Sequence, residues 1–304
     1  MHLPELNQLK NARLGILGGS GIYKINELKN VKELTIKTPF GDPSDTLRVG
    51  ELGGMDVVFL ARHGRHHTFT PTDVPYRANI WALKSLDVRW LLAPSAVGSL
   101  KEQIRPLDMV VPDQFIDRTH QRPLTFFSDG AVAHVAMADP FCPTLSRLLA
   151  DAGEKLMPEG RQLHKGGTYL AMEGPAFSTR AESNLYRSWG CSVIGMTNHT
   201  EARLAREAEI AYASLSMATD YDCWHKSEEN VSVEMVFKNL QANATLASKI
   251  VAATAKRIAT ARPESQAHQA LKDGLMTAKE KVPNSTRAKL DLLTRPYWGT
   301  FSNQ

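Results

Sequence analysis

The sequence predicts an α/β protein folded as a single domain, 1–304. Three observations carry that expectation. Short runs rich in aliphatic and β-branched residues alternate with segments whose apolar residues recur at helical spacing. No repeat, low-complexity tract or linker interrupts the alternation. The strand-like runs also end repeatedly in glycine, serine, arginine, histidine or aspartate. Such residues build ligand sites outside the carboxyl ends of strands in open α/β sheets.

The totals exclude several classes. The 304 residues are 42% hydrophobic and 22% charged, with a net charge of +4. That is an ordinary globular composition, and so small a charge calls for neither nucleic acid nor a membrane surface as partner. No stretch reaches the roughly 18 apolar residues that a membrane span requires. Cys142, Cys191 and Cys223 are odd in number and lack metal-ligand spacing, which fits a reducing compartment. Residues 1–12 read as a loose leader without the apolar core of a signal peptide, so a cytoplasmic location is expected.

The elements follow in order. Arg13–Leu17 is a short strand running into Gly18-Gly19-Ser20-Gly21, a turn whose exposed N–H groups suit an anion but which matches neither a dinucleotide fingerprint nor a P-loop. Residues 32–52 alternate around the turn signal Thr38-Pro39-Phe40-Gly41-Asp42. Met55–Leu60 is a strand that ends in Arg62-His63-Gly64-Arg65-His66-His67. Arg offers a rigid fork of donors and His a second donor, so this run reads as an oxyanion site; the competing readings are a solvated basic loop or a metal site. Ile80, Leu83 and Leu86 give residues 76–86 a helical stripe. Val88–Ala93 is a third strand, followed by the small residues Ser95-Ala96-Val97-Gly98-Ser99.

Asp108–Asp113 is a fourth strand, residues 118–133 are loop-like, and residues 143–152 are helical. Gly167–Met172 is a fifth strand leading to Glu173-Gly174-Pro175-Ala176-Phe177-Ser178. Thr179 and Glu182 have capping-box spacing for a helix that Gly190 ends. Phe177 therefore lies between a strand and a helix, either as a core plug or as a plate on which a flat ligand stacks. Val193–Met196 is a sixth strand, and Thr197 opens a helix with Leu204, Ala208 and Ala211 inward. The seventh strand starts at Ala211 and ends in Asp220-Tyr221-Asp222. Side chains at i and i+2 of a strand point the same way. If the strand stays extended, the two carboxyls share one volume and one keeps a proton near neutrality. Such an acid can protonate a leaving group; the plainer reading is a solvated turn. Ser232 caps a last long helix with Val233, Val236 and Phe237 on its apolar face, and residues 262–304 form a polar, helical tail.

Taken together, the strand ends supply an anion turn, an Arg/His pair, an aromatic, a methionine and a carboxylate pair. A ligand combining an anion, a sugar and a heteroaromatic base would use all of them. The motifs GILGGSGIY, TPFGDPS, LARHGRHH, VGSLKE, DQFIDRT, MADPFCP, YLAMEGPAFSTRAES, GMT, LAREAEIAYASLSMATDYDCW and NVSVEMV, in that order, resemble the trimeric purine nucleoside phosphorylase family, and most of all its 5′-methylthioadenosine phosphorylase branch.

The resemblance implies a mixed central sheet flanked by helices, and a homotrimer. It implies phosphorolysis of 5′-methylthioadenosine to adenine and 5-methylthioribose-1-phosphate, with inorganic phosphate as co-substrate and no cofactor or metal. Ser20, Arg62, His63, Ser95 and Thr197 would hold phosphate. Ala96, Met196 and Phe177 would line the ribose and base, and Asp220 and Asp222 would face the purine. Relatives that prefer 6-oxopurines carry FET after the Gly-Pro and Asn in place of Asp220; here Ser178 follows Phe177, and a carboxylate accepts from a 6-amino group, so adenine is expected. Val233 and Val236 would wall the 5′ substituent, and a neighbouring subunit would lend His134. One departure stands out. Relatives follow GMT with an apolar residue and Pro-Glu, whereas this chain has Asn198-His199-Thr200-Glu201, a polar trio expected beside the ribose and base. The alternatives are a 6-oxopurine nucleoside or 5′-methylthioinosine phosphorylase, a non-catalytic nucleoside-binding protein, or a hydrolase.

Overall fold

The computed structural model describes residues 12–19, 22, 27–225 and 233–302, with side chains described outside 233–237. Ser20, Ser232 and the side chains of Val233 and Val236 lie outside the described residues.

Among the described residues, eleven strands form one mixed sheet. They are β1 (Arg13–Gly18), β2 (Lys29–Leu34), β3 (Leu47–Leu52), β4 (Met55–Ala61), β5 (Val88–Ser99), β6 (Met109–Val111), β7 (Gln114–Arg118), β8 (Leu163–Lys165), β9 (Thr168–Met172), β10 (Val193–Gly195) and β11 (Ala211–Asp220). Six α-helices among the described residues flank it: α1 (Tyr76–Ser85), α2 (Pro143–Glu154), α3 (Arg180–Ser188), α4 (Asn198–Glu207), α5 (Val233–Ala261) and α6 (Asn284–Trp298). The main path runs β2-β3-β4-β1-β5-β10-β9-β7, while β11 lies on the other edge of β5 and carries β6 and β8.

Alternation sorts the strand residues between two layers. In β4, Val57, Phe59 and Ala61 pack with α2 and α5, whereas Val58 and Leu60 pack on the other face with α1, α4 and the C-terminal segment. Because both faces are covered, the central strands are apolar throughout, and β11 is buried at every position.

The strand β5 places the site. It runs well past the expected end at Ala93, through the small residues to Ser99. Its first half pairs in parallel with β1, from Val88 to Leu92. Its last residues, Gly98 and Ser99, pair antiparallel with β10. Along its other edge β11 follows it from Trp90 to Gly98. The sheet thus exchanges one neighbour for another around Pro94–Ser95, and strand ends from both halves meet there. Such a switch in strand order opens a crevice.

The remaining differences from the sequence reading are local. The short strands β7 and β8 replace what read as featureless chain, and Ala211 begins β11 rather than extending the inner face of α4, which ends at Glu207. The capping box forms as expected: Thr179 and Glu182 exchange side-chain and backbone hydrogen bonds at the start of α3.

Candidate active site

At one end of the crevice lies Arg62, immediately after β4 and only 1% exposed. Its Nε donates to Glu201 Oε1 and one Nη2–H to Glu201 Oε2 at 3.0 Å. The other Nη2–H donates to Leu17 O at 3.2 Å, and one Nη1–H donates to Pro94 O at 3.2 Å. A guanidinium has five N–H donors, so one Nη1–H has no partner among the described residues. That nitrogen lies against Gly19, so close that a side chain there would collide with it. The free donor therefore stands beside the glycine-rich turn. Burial alone would lower the pKa of Arg62, but the charge of Glu201 outweighs it and raises the value.

His63 differs from the donor expected of it. Its Nδ1 lies 2.9 Å from Phe69 O, and a carbonyl only accepts, so Nδ1 carries the proton. Burial first, and the Arg62 charge second, lower its pKa to about 4. The ring is therefore neutral at pH 7, and Nε2 presents a lone pair. It stacks on His67 with centroids 4.5 Å apart.

Thr197 is the N-cap residue of α4, yet its hydroxyl makes no capping bond. It donates to Asn198 Oδ1 at 3.3 Å; Asn198 donates to Ser214 Oγ, and Ser214 donates to Ala93 O at 3.0 Å. The start of α4 and the stretch of β5 before Ser95 are thus tied through β11. Gly19, Arg62 and the Pro94 carbonyl thus lie together, with Ser95 next along β5 and Thr197 tied to the Ala93 carbonyl through Asn198 and Ser214. Ser95 is buried and Ala96 is half-buried.

The polar trio lies inside the protein. Asn198, His199 and Thr200 are fully buried. Asn198 binds Ser214, Thr200 accepts from Arg122 at 3.3 Å, and His199 packs edge-on to Phe115 with its Nδ1 3.3 Å from Asp117. These residues support the site from behind rather than lining it beside a base.

At the other end stand Asp220 and Asp222, 6% and 9% exposed. The backbone does not stay extended, because Asp222 adopts φ +51°. The expected carboxyl pair is replaced by a backbone contact: the Asp222 N–H donates to Asp220 Oδ1 at 2.8 Å, while the hydroxyls that face the Asp222 carboxyl are those of Ser183 and Ser178. Gly98 makes room for both, since a Cβ there would sit 3.0 Å from Asp220 Oδ1 and 3.3 Å from the Asp222 Cβ. Burial, rather than a second charge, is the leading cause that lifts the Asp222 pKa, with Ser183 and Ser178 pulling the other way. The Thr219 hydroxyl lies 2.6 Å from Asp220 Oδ2 and 3.2 Å from Val97 O. It has one proton for two acceptors. When that proton goes to Val97, the contact with Asp220 requires a proton on the acid.

The turn after β9 closes this end. Cys223 Sγ donates to Ser178 O at 3.2 Å, joining the Asp220–Asp222 segment to the loop of Phe177. Phe177 is 54% exposed, which rules out the core plug. Met196 packs its sulfur against Gly174, whose φ of +69° and missing side chain permit that approach. His134 is exposed and takes no part in these contacts. Its segment is fixed to the C-terminal tail by the His134 N–H donating to Gly274 O at 2.8 Å.

Sequence reasoning missed Glu201, Thr219, Arg122, Asn239 and Asn243. The last two donate to Thr219 O at 2.7 Å and Ala218 O at 2.9 Å, holding the end of β11 from α5. Their signal was a pair of amides at i, i+4 interrupting an apolar helical stripe. Among the described residues no group of His, Cys, Asp and Glu could hold a metal ion, and no helix is long and apolar enough to cross a membrane.

The model of the phosphorylase superfamily matches residues 13–256. An S-methyl-5′-thioadenosine phosphorylase of Prochlorococcus marinus is 76% identical over 294 residues, 97% of this chain and 94% of that protein. Among solved structures, a methylthioadenosine phosphorylase sourced from an Antarctic soil metagenomic library superposes with TM-score 0.89 at 50% identity, covering 93% of this chain and 99% of the other. A methylthioadenosine phosphorylase from Schistosoma mansoni in complex with adenine gives TM-score 0.78 at 38% identity, covering 82% and 93%.

Proposed function

This chain belongs to the phosphorylase superfamily, and from that premise we propose how its site works. The protein is a pentosyltransferase that phosphorolyses 5′-methylthioadenosine to adenine and 5-methylthioribose-1-phosphate. Inorganic phosphate is the nucleophile, so the chemistry calls for no other cofactor.

Phosphate binds at the anion end, between Gly19, the spare Nη1–H of Arg62, Ser95 and Thr197 at the start of α4, and Ser20, outside the described residues, is a further candidate to hold it. The lone pair of His63 Nε2 accepts the O–H of monohydrogen phosphate, which turns that oxygen away from the sugar. Phe177 and Met196 cover the base and ribose, with Ala96 beneath. Ser178 stands beside Phe177, and the family resemblance assigns the methylthio group to Val233 and Val236, whose side chains lie outside the described residues.

The bond from C1′ to N9 breaks with its electron pair moving to the purine, and the ribosyl ring gains oxocarbenium character. The phosphate dianion below C1′ stabilises that charge and then forms the new C–O bond. Asp220 donates hydrogen to N7 as the purine leaves and accepts from its 6-amino group, with Asp222 holding it through the backbone N–H. The observation that supports this role is the Thr219 hydroxyl, shared between Val97 O and the buried Asp220, which leaves the acid room for a proton.

In the same reading the chain is one domain, works in the cytoplasm and assembles as a homotrimer, in which His134 of each subunit completes a neighbour's pocket. Base release from methylthioadenosine, adenosine, methylthioinosine and inosine, with and without phosphate, tests the whole reading. Strict phosphate dependence and the highest kcat/KM with methylthioadenosine are expected. Equal rates without phosphate would exclude phosphorolysis, and preference for the 6-oxo substrates would select the inosine-directed alternative.

A further inference from the structure

Arg122 lies in the irregular chain after β7, and its guanidinium is fully buried beside Glu173. Its Nε donates to Glu173 Oε1 at 2.9 Å. One Nη2–H donates to Glu173 O at 2.8 Å, on the turn that leads from β9 to Phe177. Its Nη1 donates to Met196 O, the residue before Thr197, and reaches Thr200 Oγ1 at 3.3 Å and Tyr76 Oη at 3.2 Å.

Glu173 extends the grip to a third segment. It accepts from Thr72 Oγ1 at 2.6 Å and from the backbone N–H groups of His120 and Gln121 at 2.6 and 3.1 Å. Thr72 follows the basic loop, whose Phe69 carbonyl holds His63. These hydrogen bonds, with the positive charge of Arg122, outweigh burial and lower the Glu173 pKa to about 2, so the pair is ionic at every working pH.

The geometry points to Arg122, locked to Glu173, as a positioning residue for the phosphorolysis: it sets the spacing between the loop of Phe177 at the base end and the Met196–Thr197 turn at the anion end. No atom of the guanidinium faces the crevice, because its partners are backbone carbonyls, interior hydroxyls and Glu173. A buried ion pair is weak evidence for stability and is better suited to fixing a geometry. Lysine could keep the charge but could not bridge Glu173 and the Met196 carbonyl at once. The inference rests on the proposed phosphorolysis for its readout.

Full-length Arg122→Lys and Glu173→Gln test it, with kcat and KM measured for methylthioadenosine and for phosphate, and folded fraction followed by thermal melting. In both variants kcat/KM for the nucleoside is expected to fall about 100-fold, as for a displacement near 1 Å, with a raised nucleoside KM carrying part of the loss. A smaller folded fraction would lower kcat and leave both KM values untouched, and that result would overturn the proposal. Constants within about twofold of the parent would overturn it too. If Arg122→Lys does not fold, Glu173→Gln decides, since it keeps the side chain's size while removing the charge and turning one of its two acceptor oxygens into a donor. Phosphate-independent cleavage by the parent protein would instead sink the phosphorolysis reading itself.

Discussion

In the proposed reaction two side chains concentrate the chemistry, and each has a distinct failure mode. Asp220→Asn keeps the size and the contact with Thr219 but places an amide where a carboxyl could accept from a 6-amino group. The ratio of kcat/KM for 6-amino over 6-oxo substrates is expected to drop by about 100-fold or more, because a site built for one hydrogen-bond pattern rejects the other. Steady-state rates on methylthioadenosine and methylthioinosine measure it, and an unmoved ratio removes Asp220 from base recognition. Arg62 is coupled to a buried partner. Arg62→Lys keeps a charge opposite Glu201 and should raise the phosphate KM at least about tenfold while moving the nucleoside KM little. Arg62→Ala leaves Glu201 as a lone buried ion, so it should also cost about 3–5 kcal/mol in a denaturant titration. Replacement of Arg62 by alanine alone would thus confound folding with phosphate binding.

Among the elements, the end of β11 depends on α5. Asn239 and Asn243 project from one helix face onto consecutive carbonyls, those of Thr219 and Ala218. Asn243 also accepts from Arg161, and the Ala218 carbonyl keeps a second donor in Leu107 N–H. Asn243→Ala should therefore act mainly on stability, at about 1–3 kcal/mol, by leaving a charged donor without its acceptor. Asn239→Ala should act mainly on turnover, about tenfold in kcat, by freeing the residue that orients Asp220. Melting curves and kcat on the same preparations check the contrast; equal effects of both kinds in both variants would mean that α5 only packs. The strand itself was legible in the sequence from its unbroken small and apolar run and its acidic end. The positive φ at Asp222, which moves the second acid from side-chain alternation to a backbone hydrogen bond, carried no signal of its own.

At the scale of the molecule, the tail and the His134 segment form a unit. The Ala133–Leu275 bridge, the bond from Val132 N–H to Thr277 Oγ1 and the contact of Gly274 with the His134 carbonyl hold an exposed histidine outward. If that histidine completes a neighbour's pocket in a trimer, two crippled variants should rescue one another. His134→Ala and Phe177→Ala chains refolded together are expected to regain activity above either alone, and light scattering should report a trimer. Rescue absent from a verified mixed trimer would confine each site to one subunit.

The alternation of apolar runs with helical stripes determined the fold class, because a two-face-covered sheet demands continuous apolar strands. The composition of the strand ends determined the kinds of group available: cations at one set of ends, acids at another. Only the tertiary structure decided how those groups are spent. Arg62 turned out to be largely committed to Glu201, His63 to be an acceptor, and the Asn198-His199-Thr200 trio to face inward. The reason is that a hydrogen bond has a direction and a limited number of donors. Which partner claims each donor depends on residues far apart in the chain that meet only when β5 exchanges β1 for β10.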